Sequence, residues 1–262
     1  MGTVFVERIT RKVEQTQTQT QTEAGKMTQR TGGILSFVTP EQWSLIEEKM
    51  QPKKVKSGYS LFLEGDEAGY LYYIRSGRVK LTKSTEDGKE IILSIQQRGD
   101  LIGEFGGIGG LNHSYSAEMA EKGELAIISL TDLESVLSKN GDLALKFLQW
   151  MALAQRITQS RFRDLLLYGK AGALASTLIR ASNTYGKIVP DGIVLEMKLN
   201  HTELAEMIGA TRESVTRMLG AWKEQGTLDM LDGKLMIRDM AALRCMCGCP
   251  SFPSCPKELC RL

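Results

Sequence analysis

The side chains with the most distinctive chemistry in this sequence are five cysteines near its end. Residues 1–244 contain none, and all five fall within sixteen residues, at Cys245, Cys247, Cys249, Cys255 and Cys260. An odd, clustered set in a chain without a secretory signal argues against a framework of disulfides. Thiolates at this density in a reducing compartment are typical of metal ligands. The segment 245–262 is therefore predicted to be a metal-binding tail.

Three kinds of site fit such a tail. Thiolates stabilise iron–sulfur clusters, they form tetrahedral structural sites with zinc, and without a metal they can serve as redox groups. The chain has only two histidines, His113 and His201, and neither is near the tail in sequence. These residues alone leave the three alternatives open.

The segment 199–228 has the pattern of a helix-turn-helix. Asn200 and Glu203 make a capping-box-like start of a first helix, and Gly209 ends it because glycine turns sharply without a Cβ penalty. Thr211 is a cap for a second helix. The inward positions of that helix are apolar: Val215, Met218, Leu219 and Trp222. One face is thus predicted to pack on the first helix, which leaves the other face free.

The outward face of the second helix is polar and charged. It carries Arg212, Glu213, Thr216 and Arg217, beside Thr211 and Ser214. Arginine reads guanine through a bidentate contact, and a glutamate can accept from the N4 of cytosine. A plain helical hairpin is the alternative interpretation, but it gives no reason for two exposed arginines here. These six residues are predicted to contact double-stranded DNA at a half-site that contains G·C pairs.

Length and composition set the frame for these two sites. A chain of 262 residues predicts two ordered domains with tails, and 33 basic against 31 acidic residues neither support nor exclude nucleic acid. No apolar stretch is long enough to span a bilayer and no signal-peptide region is found, so we expect a soluble, cytoplasmic protein without a membrane partner. An enzyme is not expected, because no nucleophile–base pair, phosphate loop or HExxH motif is present.

The elements that position the sites fall into five segments. Residues 1–33, with a Gln-Thr repeat, are predicted to be a disordered tail. Residues 34–131 start with a short helical pattern and continue as short apolar runs separated by glycines, which predicts an all-β sensor barrel. Predicted strands include Tyr59–Leu63, Leu71–Ile74, Arg78–Ser84 and Glu90–Ile95, with a hairpin turn at Glu86–Lys89.

A long helix is predicted over 132–167, entered at Asn140-Gly141-Asp142 with Asp142 as the N-cap. A second apolar set on other faces of this helix suits a partner helix in a coiled-coil dimer: Leu145, Leu148 and Leu153. A helix buried within a single chain is the alternative. Residues 168–244 are predicted to form the helix-turn-helix domain, with a β-hairpin wing at Leu228–Leu231 and Lys234–Ile237. The fold class is α+β.

The stretch from about Phe37 to Leu243 resembles the CRP/FNR superfamily of bacterial transcription regulators in the order and spacing of its motifs. The motifs that carry this resemblance are Gly99–Glu104, the long helix and Ala210–Leu219. The resemblance implies a double-stranded β-helix (jelly-roll) barrel like a cyclic-nucleotide-binding domain, a dimerisation helix and a winged helix-turn-helix. It also implies a homodimer that binds a palindromic operator and works with RNA polymerase.

Phe162–Lys170, Ser176–Arg180 and the cysteine tail look like the Bacillus-type FNR branch of that superfamily. The resemblance implies a 4Fe–4S cluster held by three tail cysteines and one aspartate, and an oxygen-responsive or nitric-oxide-responsive regulator of anaerobic metabolism. The aspartate position is Asp164, and Cys255 and Cys260 match the last two cysteines. The spacing upstream departs from the C-x2-C-x4-C of the branch, so Cys249 is the first choice for the third cysteine, before Cys247 and Cys245. The alternative function is a CRP-like regulator with a structural zinc tail and an unidentified effector.

The barrel departs from the cyclic-AMP-binding members of the superfamily at one position. Those members resemble Gly-Glu-Leu followed by Arg-Ser-Ala, in which the arginine neutralises the cyclic phosphate. Here Gly103-Glu104-Phe105 is retained, but Tyr115 stands where the arginine would be. A buried phosphate without a cationic partner is poorly stabilised, so no cofactor is predicted in the barrel and Glu104 is interpreted as structural.

Overall fold

The computed structural model describes residues 33–105, 112–250, 255–256 and 258–262. Residues 1–32, which carry the predicted disordered tail, lie outside this part. The described chain begins with a 3₁₀ turn, Ile34–Ser36, and helix α1, Pro40–Glu47. Thr39 starts α1 with a capping box, in which its side chain and that of Gln42 each accept the other's backbone N–H. The predicted short helix is therefore present, and it ends before Gln51.

In the described part of the barrel, eight strands form two four-stranded antiparallel sheets. The strands are β1 Gln51–Val55, β2 Ser60–Phe62, β3 Tyr70–Ser76, β4 Arg78–Ser84, β5 Glu90–Gln97, β6 Leu101–Ile102, β7 Ser116–Met119 and β8 Gly123–Ser129. One sheet has the order β1-β8-β3-β6 and the other β2-β7-β4-β5. Apolar side chains from both sheets, such as Ile74 and Val79, are fully buried in one cluster between them. The predicted all-β segment is thus a barrel of two facing sheets.

The β4–β5 hairpin forms where the sequence predicts it. Arg78–Ser84 pairs antiparallel with Glu90–Gln97, so that Ser84 stands opposite Glu90. Gly88 takes a φ of 79° in the connecting turn, a conformation that L side chains rarely adopt. The glycine therefore has a steric reason for its place.

The helix predicted over 132–167 is divided in the structure. Helix α2, Leu130–Lys139, ends at Asn140, and helix α3, Gly141–Tyr185, begins there. The predicted N-cap Asp142 is wrong, because Asn140 occupies the cap position and Asp142 lies in the first turn, accepting from Gln42 Nε2 at 2.5 Å. Leu133 of α2 is buried in the cluster beneath the barrel, which accounts for the change of direction before α3.

Helix α3 is kinked at Gly169, whose φ of 59° and ψ of −164° are non-helical. The arm before the kink packs on the barrel through Leu143 and Phe147. The arm after the kink is buried in the second domain, where Leu174 and Leu178 are inaccessible to solvent. Glycine permits this reversal because it has no Cβ to clash at positive φ. The kink therefore marks the junction between barrel and second domain.

The second domain is a winged helix-turn-helix. Its elements are β9 Gly186–Val189, β10 Gly192–Leu195, α4 His201–Met207, α5 Arg212–Glu224, β11 Leu228–Leu231, β12 Lys234–Ile237 and α6 Met240–Met246. The four strands form a sheet of order β11-β12-β10-β9. Ile92 and Ile95 of β5 join the core of this domain, so barrel and domain touch directly. No helix in the described part of the chain is long and apolar enough to cross a membrane.

Candidate nucleic-acid interface and candidate metal centre

Helices α4 and α5 are set at their angle by local caps and one glycine. Asn200 starts α4 with a capping box that includes Glu203, and Thr211 starts α5 by accepting from Ser214 N. Between the helices, Gly209 takes a φ of 59°. These are the signals that predicted the helix-turn-helix, and each is found in the role expected from the sequence.

The two faces of α5 differ as the sequence predicts. Val215, Leu219 and Trp222 are buried, and Met218 is partly buried against the same core. Of the six predicted DNA contacts, Ser214 is half-buried. The other five are exposed: Thr211, Arg212, Glu213, Thr216 and Arg217. Within the described residues neither arginine forms a salt bridge. Both guanidinium groups are therefore available to a ligand such as a base edge or a phosphate.

His201 is a contact of this surface that the sequence analysis missed. The Thr216 hydroxyl donates to Arg212 O at 2.9 Å, and His201 Nδ1 lies 2.8 Å from the same hydroxyl. Because the hydroxyl proton is already used, the histidine donates to it from the Nδ1–H tautomer. His201 lies at the first position of α4, and no sequence signal links it to a residue fifteen positions later.

The wing is a tight hairpin beside α5. Asp232 and Gly233 at its tip both have positive φ, 51° and 74°, as a two-residue hairpin turn requires. Lys234 Nζ lies 3.0 Å from Glu196, and Arg238 lies 2.8 Å from Asp229. Exposed ion pairs of this kind each contribute about 0–1 kcal/mol to the free energy of unfolding, so they orient the wing more than they stabilise it.

The predicted metal-binding residues line one cavity of about 330 Å³ at the kink of α3. Its walls come from α3 on both sides of Gly169, from the end of α6 and from the tail. The potential ligands in the lining are Asp164, Cys247, Cys249, Cys255 and Cys260, and three arginines lie among them: Arg156, Arg163 and Arg180. Cys245 is exposed and is not part of the lining. The structure thus brings together every predicted ligand except the third-choice cysteine.

The thiols in this cavity influence one another. Burial raises the pKa of Cys247 to about 11, and the neighbouring Cys249 adds to the effect. Burial and Cys255 raise the pKa of Cys249. Burial also raises the pKa of Cys260, against an opposing effect of Arg180 and with further contributions from Cys249 and Cys255. Cys249 therefore interacts electrostatically with the three other thiols of the cavity, and its choice as the third cysteine ligand stays a prediction.

The donor set has the chemistry of an iron–sulfur or zinc site, although its side chains stand apart around the cavity. Among the described residues no three His, Cys, Asp or Glu side chains are close enough to hold an ion. Thiolates are the usual ligands of both iron–sulfur clusters and structural zinc. Zinc ligands close on the ion at about 2.3 Å, whereas this cavity leaves room for a larger group. In ligand chemistry and space, the residues fit a polynuclear cluster.

Asp164 is the most constrained of the potential ligands. Its exposed fraction is 2%, and both of its carboxylate oxygens are occupied. Arg163 Nε donates to Oδ1 at 3.0 Å, while Arg180 Nη2 donates to Oδ2 at 3.0 Å and the Ser176 hydroxyl donates to the same oxygen. The carboxylate therefore joins the two arms of α3 across the kink.

Arg180 connects this carboxylate to the tail. It is 5% exposed, and it donates to Asp164, to Ser160 Oγ at 2.8 Å and to Leu259 O at 3.0 Å. Arg180 thus has a partner on the barrel-side arm of α3 and another in the tail. A buried arginine needs such partners because an unpaired buried charge is costly.

The last residues of the tail reach back to the barrel. Arg261 forms an ion pair with Asp100, which is 2% exposed in the turn before β6. Leu262 is buried, and its N–H donates to Thr184 Oγ1 at 3.0 Å. Arg161 of α3 donates to the carbonyl oxygen of Arg261 at 3.4 Å. The tail consequently touches barrel, kinked helix and DNA-reading domain at once.

The barrel offers different chemistry. The Glu104 carboxylate accepts from Ser114 N at 3.2 Å and from the Ser114 hydroxyl, and Tyr115 donates to Gly103 O at 3.3 Å. Residues 103–117 contain no lysine or arginine. Burial raises the pKa of Tyr115 to about 12, so its phenol stays neutral. Glu104 is half-buried, and its carboxylate is hydrogen-bonded to Ser114.

Two protein families match this chain. The Cyclic nucleotide-binding domain matches residues 52–140, and the Crp-like helix-turn-helix domain matches residues 172–246. The Anaerobic regulatory protein of Bacillus subtilis is 38% identical over 228 residues, 86% of this chain and 94% of that relative. A Global nitrogen regulator from Synechocystis is 31% identical over 188 residues, 70% of this chain and 83% of that relative.

Solved structures show the same architecture. A CooA mutant from Carboxydothermus hydrogenoformans aligns with a TM-score of 0.69 at 22% identity, covering 84% of this chain and 96% of its own. At that identity the likeness concerns the fold. It confirms the predicted order of jelly-roll barrel, long helix and helix-turn-helix, and the α+β class.

Proposed function

Because the chain belongs to the CRP/FNR family of DNA-binding transcription regulators, we propose that it is a homodimer whose binding to a palindromic operator depends on a 4Fe–4S cluster in its tail. The tail cysteines Cys249, Cys255 and Cys260 hold the cluster, and the cavity wall completes the site. Asp164 occupies the position of the fourth ligand in the sequence-based hypothesis. The signal is oxygen or nitric oxide, and the output is control of RNA polymerase at genes of anaerobic metabolism.

One observation carries this proposal: the cavity that collects the cysteines spans the kink of α3. Arg163 and Asp164 lie before Gly169, whereas Ser176 and Arg180 lie after it. A group bound there touches the barrel-side arm, the domain-side arm and the tail together. Its presence or absence can therefore bias the angle between barrel and DNA-reading domain.

The name of the Bacillus subtilis relative supports the physiological part of the proposal. That protein is called an Anaerobic regulatory protein, and the similarity extends over 86% of this chain. The thiolates of this tail suit an iron–sulfur cluster, and such clusters are sensitive to their exposure and ligands. When bound, a 4Fe–4S cluster supplies the centre at which oxygen or nitric oxide reacts.

The protein's own residues couple the reaction at the cluster to a change in affinity for DNA. Tail residues near the cavity are fixed by Arg180 and by Asn183, whose side-chain amide donates to Cys260 O at 2.8 Å. When its cysteines bind the cluster, the tail forms a fixed connection between the two arms of α3 on either side of Gly169. With its cysteines released, the tail keeps these hydrogen bonds, the Arg261–Asp100 ion pair and the contacts of Arg161 and Thr184 with its last two residues. A difference of about 1–3 kcal/mol between the two states is enough for a coupling of roughly 5–150-fold.

Dimerisation through α3 has support in its exposed face. Residues spaced alternately three and four apart are all exposed: Leu145, Leu148, Ala152, Gln155, Gln159, Phe162 and Leu166. This is the a/d seam of a left-handed coiled coil, with two glutamines in its middle. Leu148 and Phe162 are 60% and 63% exposed in the single chain, which is unfavourable for large apolar side chains unless a second helix covers them. Leu153, also predicted for this face, is instead half-buried and lines the larger cavity beside the barrel.

The DNA-reading residues can be tested first with a selected operator. Glu213→Ala and Arg217→Ala are each expected to weaken specific binding by about 1–3 kcal/mol, because each loses a base-edge contact. The exposed Lys223, three turns along α5, provides a control, Lys223→Ala, with little change in sequence preference. Unchanged affinity of both variants would reject this surface.

Anaerobic purification tests the cluster. Iron and acid-labile sulfide in a brown protein, lost after brief exposure to air together with operator affinity, would support the proposal. Stoichiometric zinc in a colourless protein would favour the alternative, a regulator with a structural zinc tail. Equal operator affinity of the cluster-bound and cluster-free proteins would reject the switch.

A further inference from the structure

We propose that His201 is a positioning residue of the DNA-reading surface: it fixes the Thr216 side chain so that the methyl group, and not the hydroxyl, contacts a thymine of the operator. This inference rests on the proposed function, because it concerns the same surface of α5. It deepens that function, since it assigns one base of the half-site to one side chain. Two hydrogen bonds that share the Thr216 hydroxyl support it.

The first step concerns the direction of these two hydrogen bonds. The Thr216 hydroxyl donates to Arg212 O, one helical turn earlier in α5, at 2.9 Å, and His201 Nδ1 of α4 lies 2.8 Å from the hydroxyl oxygen. A hydroxyl has a single proton, which is already used, so the imidazole is the donor. Both the neutral Nδ1–H tautomer and the charged imidazolium have a proton on Nδ1, so the contact persists in either state.

Two partners leave the Thr216 side chain little rotational freedom. In a helix, threonine divides between two χ1 rotamers, because its hydroxyl can bond to a carbonyl of the preceding turn. A second partner on another helix, His201, favours the rotamer that satisfies both bonds. The methyl group is attached to the same Cβ as the hydroxyl, so fixing the oxygen also fixes the methyl. Thr216 is exposed, and its methyl is therefore presented in one defined position.

The apolar core, and not this hydrogen bond, sets the packing of α4 on α5. Leu204 of α4 is buried in the same cluster as Val215 and Leu219 of α5. The capping box at Asn200 fixes the start of α4 without the imidazole. Loss of the His201 side chain should therefore affect the orientation of the threonine far more than the fold of the domain.

A fixed methyl group has one clear partner in the major groove. Among the four bases only thymine has a methyl group there, at C5, beside its O4 acceptor. Thr216 has no proton left for O4, so it distinguishes thymine from cytosine through an apolar contact with that methyl. Glu213 and Arg217 lie on the same face of α5 and are exposed. The thymine is therefore expected beside the base pairs that these two residues read.

The test removes single methyl groups from the DNA. An operator is selected from random duplexes with the anaerobically prepared full-length protein, and each thymine of the half-site is then replaced in turn by deoxyuridine, which lacks only the methyl group. For the wild type, replacement at one thymine should weaken binding about three- to fivefold, since one methyl contact is lost. Thr216→Ser, which keeps the hydroxyl and removes the methyl, should bind both duplexes equally.

The His201 variants test the positioning role. His201→Ala should reduce the deoxyuridine effect at that thymine, because the threonine can then rotate. His201→Asn should restore it, because its amide can donate from nearly the position of Nδ1. Thr202→Ala is the matched control: Thr202 is the next residue of α4 and is exposed, and its loss should leave the full effect. The effect is a ratio of two affinities of one protein, so a general loss of stability or of DNA affinity cancels.

Three results would overturn the inference. The wild-type protein could bind every deoxyuridine-substituted operator as tightly as the original, or Thr216→Ser or His201→Ala could retain the full effect. Failure of the proposed function has a different result, which is measured on the unsubstituted operator: equal affinity of the cluster-bound and cluster-free proteins. A switch that fails and a methyl contact that fails are thus distinguished.

Discussion

The barrel and the kink of α3 each border a cavity, and the two cavities differ in the reactive groups that line them. The cavity that extends from the barrel along α3 has a volume of about 540 Å³ and is lined mainly by aliphatic and aromatic side chains. Its lining also carries charged side chains from the barrel, from α3 and from the tail: Asp100, Arg161, Asp164, Arg180 and Arg261. The smaller cavity at the kink holds four thiols, one carboxylate and three arginines. Within the described chain, thiols therefore line the cavity at the kink alone, whereas charged groups line both cavities.

Under the proposed function, the signal acts at the kink and not in the barrel. Residues 103–117 supply no lysine or arginine beside Tyr115, and the arginines of the larger cavity come from α3 and the tail. A group bound at the kink would contact both arms of α3. The barrel then has a structural role, because Asp100, in its turn before β6, forms an ion pair with Arg261 at the end of the tail.

The largest expected effect tests whether the charges at the kink are part of the structure. Arg180→Met should lower the free energy of unfolding of the metal-free protein by about 3–5 kcal/mol, because it takes the buried cation away from the buried Asp164 and leaves only Ser176 and the more exposed Arg163 as its donors. Urea denaturation followed by circular dichroism measures this change. Arg163→Met is the control, since Arg163 binds the same carboxylate with a side chain that is 45% exposed, and it should cost about 0–1 kcal/mol. Equal losses would show that the buried pair has no special role.

The next prediction sets the two cavities directly against each other. Cys255→Ser should reduce operator affinity of the anaerobically prepared protein by about 5–150-fold, the usual size of a coupling between two sites. Glu104→Gln in the barrel should leave the affinity unchanged, because within the described part of the chain its carboxylate is hydrogen-bonded to Ser114 alone. Fluorescence anisotropy with a labelled operator measures both. A larger loss of operator affinity for Glu104→Gln than for Cys255→Ser would indicate that the signal acts in the barrel.

The reading domain could be predicted from sequence because its signals are local. Asn200, Thr211 and Gly209 each act on the few residues next to them, and the strands of the wing have the predicted bounds. Strand β1 was harder to predict, since Pro52 is unusual within a strand. It is tolerated because β1 lies at the edge of its sheet and pairs only with β8.

Features fixed by distant packing were beyond the sequence. The local pattern Asn140-Gly141-Asp142 marks the start of α3, but nothing local predicts that the residues before it form the separate helix α2. Likewise the Arg261–Asp100 pair joins residues 161 positions apart. The cysteines were recognisable as a set because they are clustered in sequence. The family resemblance already grouped Asp164 with them, whereas their relation to Arg180 emerges only when the kink brings both arms of α3 together.

A smaller effect on stability should follow from removing the Arg261–Asp100 ion pair, which joins the tail to the barrel. Arg261→Ala leaves Asp100 buried without its cation, which should cost about 1–3 kcal/mol of unfolding free energy. Arg261→Lys keeps the charge and should recover part of the loss. Arg98→Ala is the control, since Arg98 is exposed on the same turn. Equal stabilities of the Arg261→Ala and Arg98→Ala proteins would mean that the tail does not anchor on the barrel.

The smallest expected effect is the response to cyclic AMP. A ligand that binds the folded state raises the unfolding temperature, and at about 1 mM even a millimolar Kd would half-fill the site. We expect no such rise for the wild-type protein, because residues 103–117 provide no cation for the phosphate. Tyr115→Arg restores a positive charge there and should give measurable binding heat in calorimetry. A saturable rise in the unfolding temperature of the wild-type protein would show that the barrel recognises the anion without a lysine or arginine from this segment. The two cavities would then differ only in their reactive groups.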